Sequence, residues 1–213
     1  ACHIHIPKFD KMETSEMMEY IKDGTDDRIY AIAELMRRNI DLGLIYQTTK
    51  IDMFFLEKIK NITKWEKILA ENVGNLEILK AVKKMGFSDK YIAEVWKKEE
   101  EEIYLLRKKE NIYPVYKMID TCSSEFESYV PYFYSTYEEE NESIVSNRKK
   151  IIVLGAGPIR IGQGVEFDYS TVHAVKTIKE AGYEAIIINN NPETVSTDYT
   201  TSDKLYFEPL TVE

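Results

Sequence analysis

The hydrophobic pattern of this 213-residue chain changes its period near residue 148, which limits the fold to two successive parts. Before this point the chain reads as helical, because apolar residues recur at intervals of three and four in several stretches as far as about residue 109. From Lys149 onward the order is strand, glycine-rich turn, helix, strand. We therefore predict a mixed fold, in which an all-α part is followed by a partial α/β part with parallel strands.

Local signals set the ends of the predicted helices. Asp26 or Asp27 precedes one helical pattern and Asp52 precedes the next, so each is expected as an N-terminal cap. Gly86 ends a helical pattern and suits a left-handed C-terminal cap, and Ser88 opens a further short helix. These signals predict a bundle of short helices.

Residues 115–148 show no clean periodicity, and we interpret them as a linker that packs aromatic side chains. The segment is rich in tyrosine, at Tyr129, Tyr132, Tyr134 and Tyr137. Tyrosine rings bury area and keep a hydroxyl for hydrogen bonding. The tyrosines could therefore form a subunit interface or pack against the neighbouring domain, and the sequence leaves both alternatives open.

Composition excludes several classes of protein. The formal net charge of −9 has the wrong sign for a protein that neutralises nucleic-acid phosphates. The two cysteines, Cys2 and Cys122, are too few for a disulfide-stapled secreted domain, and no apolar run is long enough for a membrane helix. We expect a cytoplasmic protein. Because the chain begins at Ala1 and stops at Glu213 just after a third predicted strand, we also expect a piece of a longer chain.

Four consecutive aliphatic residues, 151–154, are typical of a parallel strand that is buried on both faces. The turn after them contains Gly155, Gly157, Gly162 and Gly164, and leads to a helix and a second strand. This order predicts a βαβ unit.

The glycine turn is a near miss to two nucleotide-binding motifs. Arg160 stands where the dinucleotide fingerprint needs its third glycine, and the second strand ends without an acidic residue. Gly157 and Gly162 have the P-loop spacing, but Gln163 replaces the phosphate-binding lysine. A nicotinamide-dependent oxidoreductase fragment is thus disfavoured, and a tight turn without a ligand stays an alternative.

Polar residues near this turn favour a ligand. Glu166 and Asp168 follow the glycines, and a second polar loop, residues 189–198, leaves the carboxyl end of the second strand. Open α/β sheets bind ligands at that edge, so we expect both loops to face one crevice. His3 and His5 form an H-x-H pair without a third ligand near them in sequence, and we predict no metal site there.

Longer strings carry a resemblance to a known family. Residues 155–170 read GAGPIRIGQGVEFDYS, and residues 189–211 read NNNPETVSTDYTTSDKLYFEPLT. Together with KIDMFFLEKIK, YPVYKMIDTCSSEFES and YFYSTYEEE upstream, they resemble the large subunit of carbamoyl-phosphate synthetase. In that family the first half typically reads GPIVIGQACEFDYSG and NPATIMTDP, whereas Arg160, the pair Gln163-Gly164 and residues 192–198 look like the second, carbamoyl-phosphate-forming half.

The resemblance implies a domain order. Residues 1–25 would end a preceding domain or linker, and residues 26–147 would form the helical oligomerisation domain with its Tyr-rich linker. Residues 148–213 would form a truncated, Rossmann-like pre-ATP-grasp domain. An independent assembly module in which the glycine loop senses an anion stays an alternative.

The resemblance also implies a function for the longer parent. This ligase makes carbamoyl phosphate from bicarbonate, ammonia and two ATP, for arginine or pyrimidine biosynthesis. Its partners would be a glutaminase small subunit and other large subunits. ATP and Mg or Mn would bind outside this piece, which would hold no catalytic residue and be inactive alone.

Four residues of this chain match the wall of the family's carbamate tunnel: Arg160, Gly164, Glu166 and Glu193. A glycine keeps such a passage open, and an arginine attracts an anion. Gly155, Gly157 and Gly162 would shape the loop.

Overall fold

A computed structural model describes residues 4–123, 125–126, 129–155, 168–192, 194–211 and 213. The chain divides into two compact units, a helical unit of residues 1–106 and an α/β unit of residues 107–213. The mixed fold predicted from the sequence is confirmed.

The helical unit begins with a short 3-10 helix, Pro7–Phe9. It continues with α1 (Thr14–Tyr20), α2 (Arg28–Arg37), α3 (Leu42–Thr49), α4 (Met53–Glu71), α5 (Leu76–Lys84) and α6 (Asp89–Trp96), and α7 spans Glu100–Lys109. A cluster of buried apolar side chains, among them Phe9, Met17, Ile32, Leu35 and Leu56, forms its core. Among the described residues, no helix is both long and apolar enough to cross a membrane.

Three of the predicted helix boundaries are confirmed by their hydrogen bonds or backbone angles. The Asp52 carboxylate accepts from the amide of Phe54 at 2.8 Å, and the Ser88 hydroxyl accepts from the amide of Tyr91 at 3.2 Å. Gly86 has a φ of 86°, which only glycine adopts without strain, and it comes just after Met85, the C-cap of α5. Each signal is local and survives in the folded chain.

Asp27 precedes α2, as predicted, but its side chain does not cap the helix. Its carboxylate accepts from the Lys8 ammonium at 2.8 Å and from the Tyr20 hydroxyl at 2.5 Å. The pKa of Asp27 is lowered to about 2, mainly by the hydrogen bond from Lys8 and next by the one from Tyr20. Asp27 thus links Lys8, which precedes α1, to Tyr20, the last residue of α1. A carboxylate bonds more strongly to an ammonium than to a neutral amide, which favours this arrangement over a helix cap.

The α/β unit contains β1 (Val115–Met118), β2 (Tyr132–Thr136), β3 (Lys150–Leu154), α8 (Tyr169–Glu180), β4 (Glu184–Asn189), a 3-10 helix (Val195–Thr197) and β5 (Lys204–Phe207). The strands form one sheet in the order β1-β2-β5-β4-β3. Strands β2, β5, β4 and β3 run parallel to one another, and β1 is antiparallel to β2. The predicted βαβ unit is therefore β3-α8-β4.

Two strands, β1 and β2, lie in the segment where the sequence showed no periodicity. Strand β2 pairs with β5, where Phe133 lies opposite Tyr206. The Tyr132 ring packs edge-on against Phe207 with 5.4 Å between ring centroids, so Tyr132 packs inside the α/β unit. Tyr134 is exposed. A four- or five-residue strand that is only half buried leaves little periodicity in the sequence.

Residues 151–154 form a parallel strand, as predicted, but the expectation of burial on both faces is wrong. Strand β3 is at the edge of the sheet, and Ile152 is 55% exposed. Val153 points to the other face, where it packs with Val175 of α8 and Ile187 of β4. One covered face thus holds the core of the unit.

The second face of the sheet carries a buried carboxylate, Glu184, on β4. Lys150 of β3 and Lys204 of β5 place their ammonium groups 3.5 and 3.9 Å from it. The Ser146 hydroxyl also donates to it. Because adjacent parallel strands bring these charges into one row, the acidic residue is compensated although it is far from both lysines in sequence.

Candidate functional site at the carboxyl edge of the sheet

The two loops singled out in the sequence begin side by side. In the register of β3 with β4, Leu154 lies opposite Ile188. The next amide, that of Gly155, donates to the Ile188 carbonyl at 2.9 Å. The glycine loop therefore starts beside Asn189, the last residue of β4, and the prediction that both loops leave the same edge is confirmed for their first residues.

Gly155 allows a close approach between the two strand ends. A Cβ atom at this position would lie 3.1 Å from Nδ2 and 3.3 Å from Cβ of Asn189. Asn189 is fully buried, so its side chain has little room to yield. A glycine is needed here because of this contact, and its φ does not require one.

The Asn189 side chain then shapes the polar loop that follows it. Its Oδ1 accepts from the amide of Asn191 at 2.9 Å, which forms a local turn. Its Nδ2 donates to the Thr194 hydroxyl at 3.3 Å, and that hydroxyl lies 3.3 Å from the Ser196 hydroxyl. All four side chains are buried. A connected set of hydrogen bonds of this kind restrains the conformation of Asn189, Asn191, Thr194 and Ser196.

Asp168 ties the far end of the glycine loop to the same place. It is the residue before α8, it is 1% exposed, and its carboxylate Oδ2 accepts from the amide of Ser196. Its Oδ1 has no hydrogen-bond partner in the described part of the chain. A buried carboxylate oxygen without a donor is costly, so it marks a polar position that a bound donor could satisfy.

Tyr132 of β2, which lies on the far side of β5 from β4, joins this network. Its hydroxyl donates to the Thr197 carbonyl at 2.6 Å. Burial raises the pKa of Tyr132, and the nearby charge of Asp198 raises it further. The hydroxyl therefore stays protonated at neutral pH and acts as a donor.

Most of the site residues predicted from the sequence lie outside the described residues. Arg160, Gly164 and Glu166 belong to the segment 156–167, as do the predicted loop residues Gly157 and Gly162, and Glu193 also falls outside. Gly155 is where it was predicted. The role of Asn189 as the partner of Gly155 was missed, and an amide that ends an otherwise aliphatic strand is the signal that could have indicated it.

The described polar side chains at this edge bond mainly to one another, and the Asp168 Oδ1 is the buried side-chain atom left to accept from a small polar ligand. Among them, no three His, Cys, Asp or Glu side chains gather as metal ligands. Such a set can hold and orient a ligand but supplies no nucleophile with a paired base. The geometry fits a binding or guiding role.

Two models of protein families match the chain. The first, described as the oligomerisation domain of the carbamoyl-phosphate synthetase large chain, matches residues 1–111. The second, described as the carbamoyl phosphate synthase preATP-grasp domain, matches residues 147–213. Their order agrees with the helical unit and the α/β unit, and the resemblance noted from the sequence is confirmed. The chain belongs to the carbamoyl-phosphate synthetase large-chain family.

Proposed function

We propose that this chain is the central piece of a glutamine-dependent carbamoyl-phosphate synthase and that its glycine loop forms part of the wall of a carbamate passage. The parent ligase would use bicarbonate, ammonia and two ATP. Carbamate decomposes in water, so a path that excludes bulk solvent preserves it between two reaction steps. The chain itself would carry assembly and passage, and no catalytic residue.

The observation that supports the passage is that both ends of the glycine loop are held against the polar loop. Gly155, at the start of the loop, lies close to the Asn189 side chain. Asp168, which follows the loop, accepts a hydrogen bond from the Ser196 amide. The described residues on either side of the segment with Arg160, Gly164 and Glu166, namely Gly155 and Asp168, therefore lie at the carboxyl edge of the sheet. Ligands of α/β sheets bind at this edge.

The proposed roles follow from the chemistry of these side chains. Arg160 would attract the carbamate anion, and Gly164 would leave the passage open. Glu166 and Glu193 would make passage depend on local protonation. ATP and Mg or Mn would bind to other domains of the parent enzyme.

Replacing Gly164 by Phe in the full-length enzyme tests the passage. We expect carbamoyl-phosphate synthesis to fall at least tenfold, because the phenyl ring would fill the space that glycine, which has no side chain, leaves open. Bicarbonate-dependent ATP hydrolysis should persist, since the first reaction step lies before the block. Both rates are measured on the same preparation.

A matched control is Gly24→Phe, where a Cβ has no neighbour within 4 Å. This variant adds the same bulk in open space and should keep both rates. If Gly164→Phe also keeps both rates, the passage assignment is wrong. If it loses both, the loop serves the fold and does not guide an intermediate.

We further propose that the helical unit self-associates through the start of α4. Phe54 and Phe55 are 57% and 60% exposed, and their rings touch edge-on with 5.4 Å between centroids. Leu44 and Tyr46 of α3, which packs against α4, are exposed as well. Four large apolar side chains on neighbouring helices are typical of an interface, and the matched family describes an oligomerisation domain.

The variant Phe54→Ser/Phe55→Ser should shift the chain toward a smaller species in sedimentation velocity at the same concentration. Its helix content by circular dichroism should stay that of the wild type, because neither ring is in the core. Ile144→Ser/Val145→Ser is the control, since it removes two exposed apolar side chains from the α/β unit. An equal sedimentation coefficient for all three proteins would contradict this interface.

A further inference from the structure

A groove of about 770 Å³ lies within the helical unit, whereas the site described above belongs to the α/β unit. The end of α2, with Met36 and Arg37, forms one wall, and a flank of α4 forms the other. Asn39 and Leu42 lie where the chain turns from α2 into α3. The groove is thus large enough for a small molecule and has both apolar and polar walls.

Three lysines of α4 line this groove: Lys60, Lys64 and Lys67. Their spacing of four and three residues places them in one row on the helix surface. Lys67 lies 3.9 Å from Glu71, whereas Lys60 and Lys64 have no carboxylate within 4.0 Å in the described part of the chain. Like charges at this spacing repel one another, so an anion bound along the row would relieve that repulsion.

The acidic side chains of the groove do not neutralise this row. Glu66 is occupied by Arg37, whose Nε and Nη2 donate to its two oxygens at 2.7 and 3.0 Å. Glu57 also lines the groove, and no ion pair joins it to a lysine among the described residues. The groove therefore carries an excess of ammonium groups, although the chain as a whole has a net charge of −9.

Neutral groups in the groove add donors and an apolar floor. The amides of Asn39 and Asn61 line it, and Met36 and Leu42 supply the apolar part. The Thr63 hydroxyl is engaged, since it donates to the Lys60 carbonyl at 3.0 Å. Ammonium groups with amide donors suit an anion that has several oxygens and more than one charge.

We propose that this groove is a binding site for a small multivalent oxyanion, a phosphorylated or polycarboxylate molecule. Lys60 and Lys64 bind the anion, Lys67 adds a further positive charge, and the Asn61 amide donates from the position after Lys60. The groove and the glycine loop belong to different units of the chain. The test of this anion site therefore does not depend on whether the carbamate passage exists.

The test is a titration of the ¹⁵N-labelled 213-residue chain with inorganic pyrophosphate, followed by amide chemical shifts. Low ionic strength, about 0.02 M, keeps the charges weakly screened. We expect saturable shifts at residues 57–67 that an equal ionic strength of sodium chloride does not produce. Lys60→Gln/Lys64→Gln should weaken binding at least tenfold.

A parallel titration with citrate distinguishes phosphorylated from polycarboxylate ligands. Saturation with both anions extends the site to polycarboxylates, and saturation with pyrophosphate alone assigns it to phosphates.

Lys84→Gln/Lys90→Gln is the matched control, because it removes two exposed lysines from α5 and α6 of the same unit. It makes the same change in net charge outside the groove and should bind as the wild type does. The proposal is wrong if neither anion saturates. It is also wrong if the two double variants bind equally, because binding would then follow net charge alone.

Discussion

Replacing Asp89 by Asn should lower the free energy of unfolding of the helical unit by about 3–5 kcal/mol. The Asp89 carboxylate lies 3.0 Å from the Lys83 ammonium, and the two side chains are 2% and 1% exposed. The ammonium also donates to the Phe87 carbonyl at 2.8 Å. The variant removes a counter-ion from a charge that water does not reach, and the low dielectric makes this loss large.

Tryptophan fluorescence during urea unfolding can measure this loss within one unit. Both tryptophans of the chain, Trp65 and Trp96, are in the helical unit. Lys80→Gln is the control, since Lys80 pairs with Glu77 at 3.1 Å on the exposed side of α5. Exposed pairs contribute about 0–1 kcal/mol. A loss for Asp89→Asn no larger than that of the control would show that burial does not strengthen the pair.

Replacing Phe133 by Ala should destabilise the α/β unit by about 3–5 kcal/mol. Phe133 is fully buried on β2 and stacks on Tyr206 of β5 with 5.3 Å between ring centroids. Deleting the ring removes its apolar contacts and leaves a cavity between the two strands. The loss should fall on the pairing of β2 with β5.

Hydrogen exchange measured by mass spectrometry can locate this loss. Peptides that cover residues 132–136 and 204–207 should exchange faster in Phe133→Ala than in the wild type. Tyr134→Ala, on the exposed side of the same strand, should change the free energy by about 0.5 kcal/mol or less. Equal protection of these peptides in all three proteins would mean that the ring does not hold β2 to the sheet.

The parts of the fold that the sequence predicted correctly depend on local signals. Asp52 and Ser88 cap the amides of residues two or three positions away, and Gly86 needs only its own backbone angle. The glycine turn after β3 and the start of the polar loop after β4 are likewise readable from a few neighbouring residues. Asp27 departs from its expected role because a lysine 19 positions earlier competes for its carboxylate.

For the candidate site, the sequence placed the two loops at one edge, and the family motifs within them led to the assignment. What it did not indicate is how the loops are held. Gly155 contacts Asn189 across 34 positions, and Asp168 reaches the Ser196 amide across 28. These contacts exist only after β3 and β4 have paired.

The sequence alone therefore determined several helix ends, the βαβ order and the family, because each depends on short-range patterns or long matching strings. The tertiary structure decided the rest. It placed β2 next to β5, about 70 positions away, it left β3 at the edge, and it buried the pair of Lys83 and Asp89. Strand order and burial depend on contacts between distant residues, and a local sequence pattern does not specify which distant segment will pack against it.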